Sequence, residues 1–317
     1  MTKLLISRAI PESVMAQARG LFDVTLRPTT QPMTHDECVR ALREQDIILP
    51  TLGDAFSAEA FSEAGQIRCK LLANFGVGYN HIDAKAAVNA GVAVTNTPGA
   101  VTDATADIAM TLMLSTARRA SEGERLVRAG KWQGWHPIQM LGLHVSGKTV
   151  GIVGMGRIGQ AIARRCHFGF GMDVVYFNRS QKTIDVPAQQ LEGLNDVMQQ
   201  SDVVILAVPG GAATHHIINA EVIGAMQSHA ILVNISRGDV IDEAALISAL
   251  QAKTLAGAGL DVYEFEPQVP DALIAMENVV LLPHLGTAAL EVREAMGQMA
   301  LDNCIAFAAG KELPNLV

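Results

Sequence analysis

The run Thr149-Val-Gly-Ile-Val-Gly154-Met155-Gly156-Arg157-Ile158-Gly159-Gln-Ala-Ile-Ala-Arg leaves a β-type apolar stretch and opens a helical one. That is the context in which a G-x-G-x-x-G spacing binds a dinucleotide. Gly154 permits the tight turn, Gly156 removes a side chain where a pyrophosphate must approach, and Gly159 lets helix and strand pack closely. Amides at the helix start hold the phosphates, and Arg157 adds a cation. The following strand ends Tyr176-Phe177-Asn178-Arg179-Ser180-Gln-Lys182. NAD-binding sites place a carboxylate there for the adenosine ribose hydroxyls. Asn178 carries no charge to repel a 2′-phosphate, and Arg179, Ser180 and Lys182 can pair with one, so NADPH is favoured while NADH remains usable.

Three later segments carry further chemistry: Asn234-Ile235-Ser236-Arg237-Gly238, Gly259-Leu260-Asp261-Val262-Tyr263-Glu264-Phe265-Glu266-Pro267, and Leu282-Pro283-His284-Leu285-Gly286-Thr287. Together with the upstream Asn74-Phe75-Gly76-Val77-Gly78-Tyr-Asn-His81-Ile-Asp83 and the helical run 102–119, they resemble, in order and spacing, the D-isomer-specific 2-hydroxyacid dehydrogenases across nearly the whole chain. Within that family the chain is most similar to the NADPH-dependent glyoxylate/hydroxypyruvate reductases and the hydroxyphenylpyruvate reductases. The residue types agree with the chemistry. Reducing a 2-oxo acid needs a cation and amides for the carboxylate, and an acid to protonate the developing alkoxide. Arg237 offers a two-pronged fork to the carboxylate and polarises the carbonyl. His284 is the natural acid, because an imidazole ordinarily titrates near ~6.5. Glu266 would hold the second ring nitrogen and favour the imidazolium.

The resemblance implies further roles. The backbone amides of Val77 and Gly78 would complete the substrate carboxylate site from the other domain, and Asp261 would meet the nicotinamide carboxamide. Thr105, Pro209 and Thr214 match positions lining the cofactor, as do Met155, Ile158, Ile235, Ser236, Arg237, His284 and Gly286. His81 stands where Asn or Asp is frequent and is read as lining the entrance only, and His215 and His216 are read as structural. Singly, Arg237 or Glu266 could be a surface charge, and a histidine after Pro283 a strand-end cap. Their occurrence at the carboxyl ends of successive predicted strands, where open α/β sheets bind ligands, argues for a shared site.

The elements that must position these residues form an α/β pattern of short apolar runs alternating with helical ones. Strands are predicted at 3–7, 46–50, 69–75 and 92–95, with helices at 12–19 and 35–44, giving a small flavodoxin-like unit. A long helix is predicted over 102–120, then six parallel strands at 149–153, 173–177, 203–207, 231–234, 256–260 and 279–282, the size of a full Rossmann sheet. A last helix is predicted over 287–309, stopped by Gly310. Residues 1–98 and 288–317 are thus expected to form the substrate domain and 99–287 the dinucleotide domain, hinged at two chain crossings. The excursion 121–147 has no strand pattern and holds both tryptophans, Trp132 and Trp135; it reads as a loop packed on its own chain or as a subunit contact, and the resemblance implies the second, the arm of a homodimer.

Composition narrows the class. A chain of 317 residues suggests about two domains, and 49% hydrophobic residues with 18% charged ones exclude disorder and collagen-like repetition. A net charge of −8 disfavours nucleic acid and anionic membrane as partners. No apolar run approaches the roughly 18 residues of a membrane helix, and the N-terminal stretch is broken by Arg8 and Pro11. Cys38, Cys69, Cys166 and Cys304 show no metal-type or paired spacing, so no metal is expected and a reducing cytoplasm is. Rival readings are a relative of phosphoglycerate or hydroxyphenylpyruvate type, or a dinucleotide-sensing corepressor that works by binding partners.

Overall fold

The computed structural model describes residues 1–317, which divide into two compact units, Met1–Val101 with Thr287–Val317, and Thr102–Gly286. The first unit opens with β1 (Lys3–Ile6), α1 (Glu12–Leu21), β2 (Asp23–Leu26), α2 (His35–Glu44), β3 (Ile47–Leu49), α3 (Ala58–Ala64), β4 (Leu71–Ala73), α4 (Ala84–Asn89) and β5 (Ala93–Thr95). Its five strands are all parallel in the order β2-β1-β3-β4-β5, the flavodoxin-like arrangement. Successive residues of a strand face opposite sides. Leu5, Ile48 and Leu72 therefore pack under the helices α2 and α3, while Leu4, Ile6, Ile47, Leu49 and Leu71 pack on the other face against Val14, Met15 and Ala18 of α1.

The second unit runs α5 (Thr102–Ala117), α6 (Ala120–Arg128), β6 (Thr149–Val153), α7 (Arg157–Arg164), β7 (Asp173–Phe177), β8 (Gln189–Gln190), α8 (Leu194–Gln200), β9 (Val203–Leu206), α9 (Ala220–Gly224), β10 (Ile231–Asn234), α10 (Glu243–Gln251), β11 (Gly257–Leu260), α11 (Asp271–Ile274) and β12 (Val279–Leu281). Its sheet is parallel, ordered β12-β11-β10-β9-β6-β7-β8, so the strand order reverses between β6 and β9. Open α/β sheets bind ligands at such a reversal, beyond the carboxyl ends of the strands. Leu112 and Met113 of α5 and Ile162 of α7 cover Ile152, Ile205 and Val233, while α8, α9 and α10 cover Val204, Leu206 and Leu232. The chain then returns to the first unit as α12 (Leu290–Ala308), whose Ala300, Leu301 and Cys304 join the core beside α1. Gly310 follows at φ +64, the left-handed conformation that closes a helix.

The fold is α/β as expected, with local corrections. The helix predicted over 102–120 stops at Ala117, because the Ala117 carbonyl turns to accept Leu143 N–H at 2.8 Å and Arg119 adopts φ +52. The excursion is not all loop: α6 begins at Ala120 and carries the pair Arg119–Glu122 at 2.7 Å. None of its residues is buried, so it leaves no apolar stripe to read. The two-residue β8 extends the second sheet to seven strands rather than six, and β2, α3 and α4 were also unforeseen. No helix is long and apolar enough to cross a membrane.

Candidate active site

The glycine loop joins β6 to α7. Gly154 sits at φ +100, and a Cβ there would lie 2.6 Å from the Ala207 carbonyl oxygen. A Cβ at Gly159 would lie 2.1 Å from the Gly154 oxygen, so the helix can seat against the strand only through glycine. At Gly156 a Cβ would meet nothing within 4 Å: the space before the amides of Arg157 and Ile158 is open. These features fit a pyrophosphate. Met155 N–H donates to Asn178 Oδ1 at 3.1 Å, and Asn178 Nδ2 donates to the Ser180 carbonyl at 2.7 Å. Asn178 is therefore the tie between the glycine loop and the turn after β7. Arg179, Ser180 and Lys182 beyond it are exposed.

Arg237, Glu266 and His284 follow β10, β11 and β12, three adjacent strands of one sheet. His284 Nδ1 lies 2.9 Å from Glu266 Oε2, and Glu266 Oε1 accepts Tyr263 N–H at 3.0 Å. Burial pushes the Glu266 carboxyl up, but the hydrogen bond and charge of His284, the Tyr263 amide and the Arg237 cation together hold it below its ordinary value. Arg237 donates Nη1–H to the Ser236 carbonyl at 2.7 Å, and its Nε is buried with no hydrogen-bond partner. Burial lowers its pKa against the opposing charges of Glu266 and Asp239. A half-sequestered guanidinium with an unmade hydrogen bond is suited to a carboxylate.

Several neighbours hold this arrangement. Asn234, 1% exposed, accepts Ser236 N–H and donates to the Arg237 carbonyl, both at 2.9 Å, fixing the turn that carries the arginine. A Cβ at Gly238 would fall 1.8 Å from the Tyr263 carbonyl carbon, so only glycine lets the Arg237 turn abut the segment bearing Glu266. Tyr263 also donates its hydroxyl to the Leu282 carbonyl at 2.9 Å. Asp261, 2% exposed, accepts Leu285 N–H at 2.6 Å and Gly286 N–H at 2.8 Å, while its own carbonyl accepts His284 N–H at 3.0 Å. His284 is thereby held at φ +56, which a non-glycine residue seldom adopts. Sequence reasoning missed Asn234, Gly238 and Tyr263 in these roles, although all three lie inside the segments it singled out.

The remaining expected cofactor residues are wired into the same strand ends. Thr105 Oγ1 donates to the Gly286 carbonyl at 3.1 Å, Ser236 Oγ accepts Val208 N–H at 3.0 Å, and Thr214 Oγ1 donates to the Pro209 carbonyl at 2.7 Å. Ile235 is buried beside Ser236. His215 and His216 stack at 3.9 Å, and His216 Nε2 lies 2.9 Å from Glu264 Oε1, a strut for the loop that bears Glu266.

In the first unit, the loop after β4 carries Val77 and Gly78. The carbonyls of Gly76, Val77 and Gly78 accept hydrogen bonds from Asn74 Nδ2 (3.0 Å), Asn96 Nδ2 (2.9 Å) and Asn74 Nδ2 (3.1 Å) respectively. The amides of Val77 and Gly78 donate to no protein acceptor. Successive backbone N–H groups without a protein acceptor are available to an anion.

Comparison with known proteins agrees with this geometry. Residues 110–286 match the model of the D-isomer specific 2-hydroxyacid dehydrogenase, NAD binding domain. A glyoxylate reductase of Thermococcus kodakarensis is 43% identical, the alignment covering 99% of this chain and 96% of that protein. One of Pyrococcus horikoshii is 41% identical, covering 99% and 95%. A crystal structure of an NADPH-dependent glyoxylate/hydroxypyruvate reductase from Sinorhizobium meliloti, in complex with NADP and malonate, superposes with a TM-score of 0.87 at 34% identity, covering 100% of this chain and 96% of that one. With the glycine loop, the His284–Glu266 pair and full-length likeness in hand, the chain belongs to the D-isomer-specific 2-hydroxyacid dehydrogenase family.

Proposed function

We propose that the protein reduces a small 2-oxo acid of the glyoxylate or hydroxypyruvate kind to the D-2-hydroxy acid, with NADPH preferred to NADH. The observation that carries this reading is the His284 Nδ1–Glu266 Oε2 contact at 2.9 Å beside the half-buried Arg237 fork. Because Nδ1 faces the carboxylate, Nε2 is the ring nitrogen left to give a proton to the developing alkoxide. Glu266, ionised below its ordinary range, keeps the imidazolium paired until that proton leaves. Arg237 binds the substrate carboxylate and polarises the carbonyl, and the Val77 and Gly78 amides add donors to the carboxylate. A bound nicotinamide dinucleotide supplies the hydride. The glycine loop, with Met155, Arg157 and Ile158, would hold its pyrophosphate, and Asp261, Thr105, Pro209, Thr214, Ile235, Ser236 and Gly286 would line its nicotinamide half.

The cofactor preference rests on Asn178, Arg179, Ser180 and Lys182. Asn178 spends its side chain on Met155 and Ser180, leaving Arg179 exposed for a 2′-phosphate. One charge-assisted hydrogen bond is worth about 1.5–3 kcal/mol, or roughly ten- to a hundredfold in affinity. Arg179→Ala is therefore expected to raise KM for NADPH by about that factor and leave KM for NADH nearly unchanged.

A homodimer is part of the same reading. Trp132, Trp135, Ile138 and Leu141 are all more than half exposed in the excursion that follows α6, and a cavity of about 550 Å³ lies between α6 and β12, lined by Ile274, Met276 and Val280 among others. Light scattering should give twice 33.7 kDa, and a monomer would remove this part. The buried, unpaired thiols suit a reducing cytoplasm. The test of the whole reading is an initial-rate panel of glyoxylate, hydroxypyruvate, pyruvate, 2-ketogluconate and hydroxyphenylpyruvate, each with NADPH and NADH. Highest kcat/KM on glyoxylate or hydroxypyruvate with NADPH is expected; no turnover of any member would overturn it.

A further inference from the structure

Asn74 stands at the carboxyl end of β4, 1% exposed, and its amide group makes three hydrogen bonds. Two partners, the carbonyls of Gly76 and Gly78, can only accept, so Nδ2 must face them and Oδ1 must face His81 Nε2 at 3.1 Å. His81 Nε2 must then carry a proton, a condition that both the neutral ε-tautomer and the imidazolium meet. Two further contacts hold the loop from its other side: Thr97 N–H donates to the Gly76 carbonyl at 3.0 Å and Asn96 Nδ2 to the Val77 carbonyl. Across a trans peptide the N–H points opposite to the carbonyl of the preceding residue, so the contacts of Asn74 and Thr97 with the Gly76 carbonyl set the direction of Val77 N–H, and the contact of Asn96 with the Val77 carbonyl sets that of Gly78 N–H.

We infer that Asn74, oriented by His81, is a positioning residue for the substrate carboxylate: it touches no substrate atom and acts by holding the Gly76–Val77 peptide, whose N–H meets the anion, and the Gly78 carbonyl that closes the segment bearing the second amide. The inference rests on the 2-oxo acid reading above, which makes a carboxylate the anion the loop receives. Without the Asn74 donors the Gly76 carbonyl keeps only Thr97 N–H and the Gly78 carbonyl keeps no partner, so the amides of Val77 and Gly78 are less firmly set before the substrate arrives. The loss falls on binding of the charged group in ground and transition states alike, which moves KM rather than kcat.

The experiment compares glyoxylate with methyl glyoxylate, which keeps the reacting carbonyl and lacks the carboxylate charge, in wild type, Asn74→Ala, His81→Gln and His81→Leu. Asn74→Ala should raise KM for glyoxylate by about 10- to 100-fold, the equivalent of one charge-assisted hydrogen bond. Its kcat, its Kd for NADPH by fluorescence and its KM for the ester should stay within about threefold of wild type. Gln presents a side-chain N–H close to the place of His Nε2, so His81→Gln should keep the wild-type preference for acid over ester, and His81→Leu should lose several-fold of it. Equal rises in KM for acid and ester, or indistinguishable Gln and Leu variants, would overturn the positioning role while leaving the reductase reading intact. A wild type that reduces no 2-oxo acid at all would overturn that reading first and this inference with it. Should Asn74→Ala fail to fold, the His81 pair decides the question alone.

Discussion

Two loops, one at the carboxyl end of each sheet, are each tied to a buried polar side chain, and they come out with opposite polarity. Asn74 and Asn96 donate to the carbonyls of the first loop, which leaves the amides of Val77 and Gly78 without a protein acceptor. Asp261 accepts the amides of Leu285 and Gly286, so that backbone turns its N–H groups inward and offers a side chain, His284, instead. On the proposed reading, a neutral donor at a strand end serves an anion site made of backbone, and a carboxylate at a strand end serves as the platform for an acid. The choice between Asn and Asp, two residues of nearly one shape, decides whether carbonyls or amides of the loop are engaged.

The largest break in this contrast should come from His284→Ala, which leaves the Asp261 platform intact and removes what it presents. The expected loss is about 10²–10⁴ in kcat, the range for a positioned proton donor, with NADPH binding retained; near wild-type kcat would take the histidine out of the mechanism. Next comes the platform itself. Asp261→Asn sets an amide N–H against one of the two backbone amides, which releases a left-handed His284 that costs about 1–2 kcal/mol to hold. A fall in kcat of roughly 10²-fold is expected, larger than any change in Kd for NADPH. Loss of NADPH binding with no separate loss in kcat would assign Asp261 to the cofactor alone.

Asn74→Asp sharpens the contrast from the other side. It gives the first loop the acceptor that the second one has and adds a negative charge near the Val77 and Gly78 amides, so KM for glyoxylate should rise further than in Asn74→Ala. A smaller rise in the aspartate variant would mean that the loop keeps its polarity without Asn74. The smallest effect concerns Glu266. Its carboxyl is lowered in the folded protein, so its stabilisation is present above the ordinary carboxyl value of 4.5 and is lost as pH falls through the lowered one. At 30% side-chain exposure this is worth no more than about 1 kcal/mol. Thermal unfolding should therefore separate wild type from Glu266→Gln at pH 6 and bring the two together near pH 3. The same variant should shift the alkaline limb of the reduction rate to lower pH, because the imidazolium has lost its partner; an unmoved limb would unlink the two side chains.

How much of this was legible in the sequence depends on what each feature leaves behind. Strands β6, β7 and β10 have the expected bounds, since strands buried on both faces read as unbroken apolar runs. β2 has no buried residue and α6 none either, and both went unseen. The glycine loop and the Arg, Glu and His segments were legible because residue type and spacing carry their chemistry. What Asn74, Asn234 and Asp261 do was not, because a side chain bonded to backbone amides and carbonyls leaves no periodic trace, and the left-handed turn at His284 has no glycine to announce it.

The first unit has one more property, which concerns the order in which the protein can be made. Its sheet and α1 come from the opening hundred residues, yet one face of that sheet is covered in part by α12, and Val94 and Val317 are joined by a backbone hydrogen bond of 3.0 Å. The second unit, by contrast, is one uninterrupted stretch of chain. On a ribosome the second unit can therefore complete its core while Leu4, Ile6 and Met15 still wait for Ala300 and Leu301. A nascent chain halted before α12 should carry a finished Rossmann fold tethered to an unfinished, sticky sheet, the species a chaperone would have to shield.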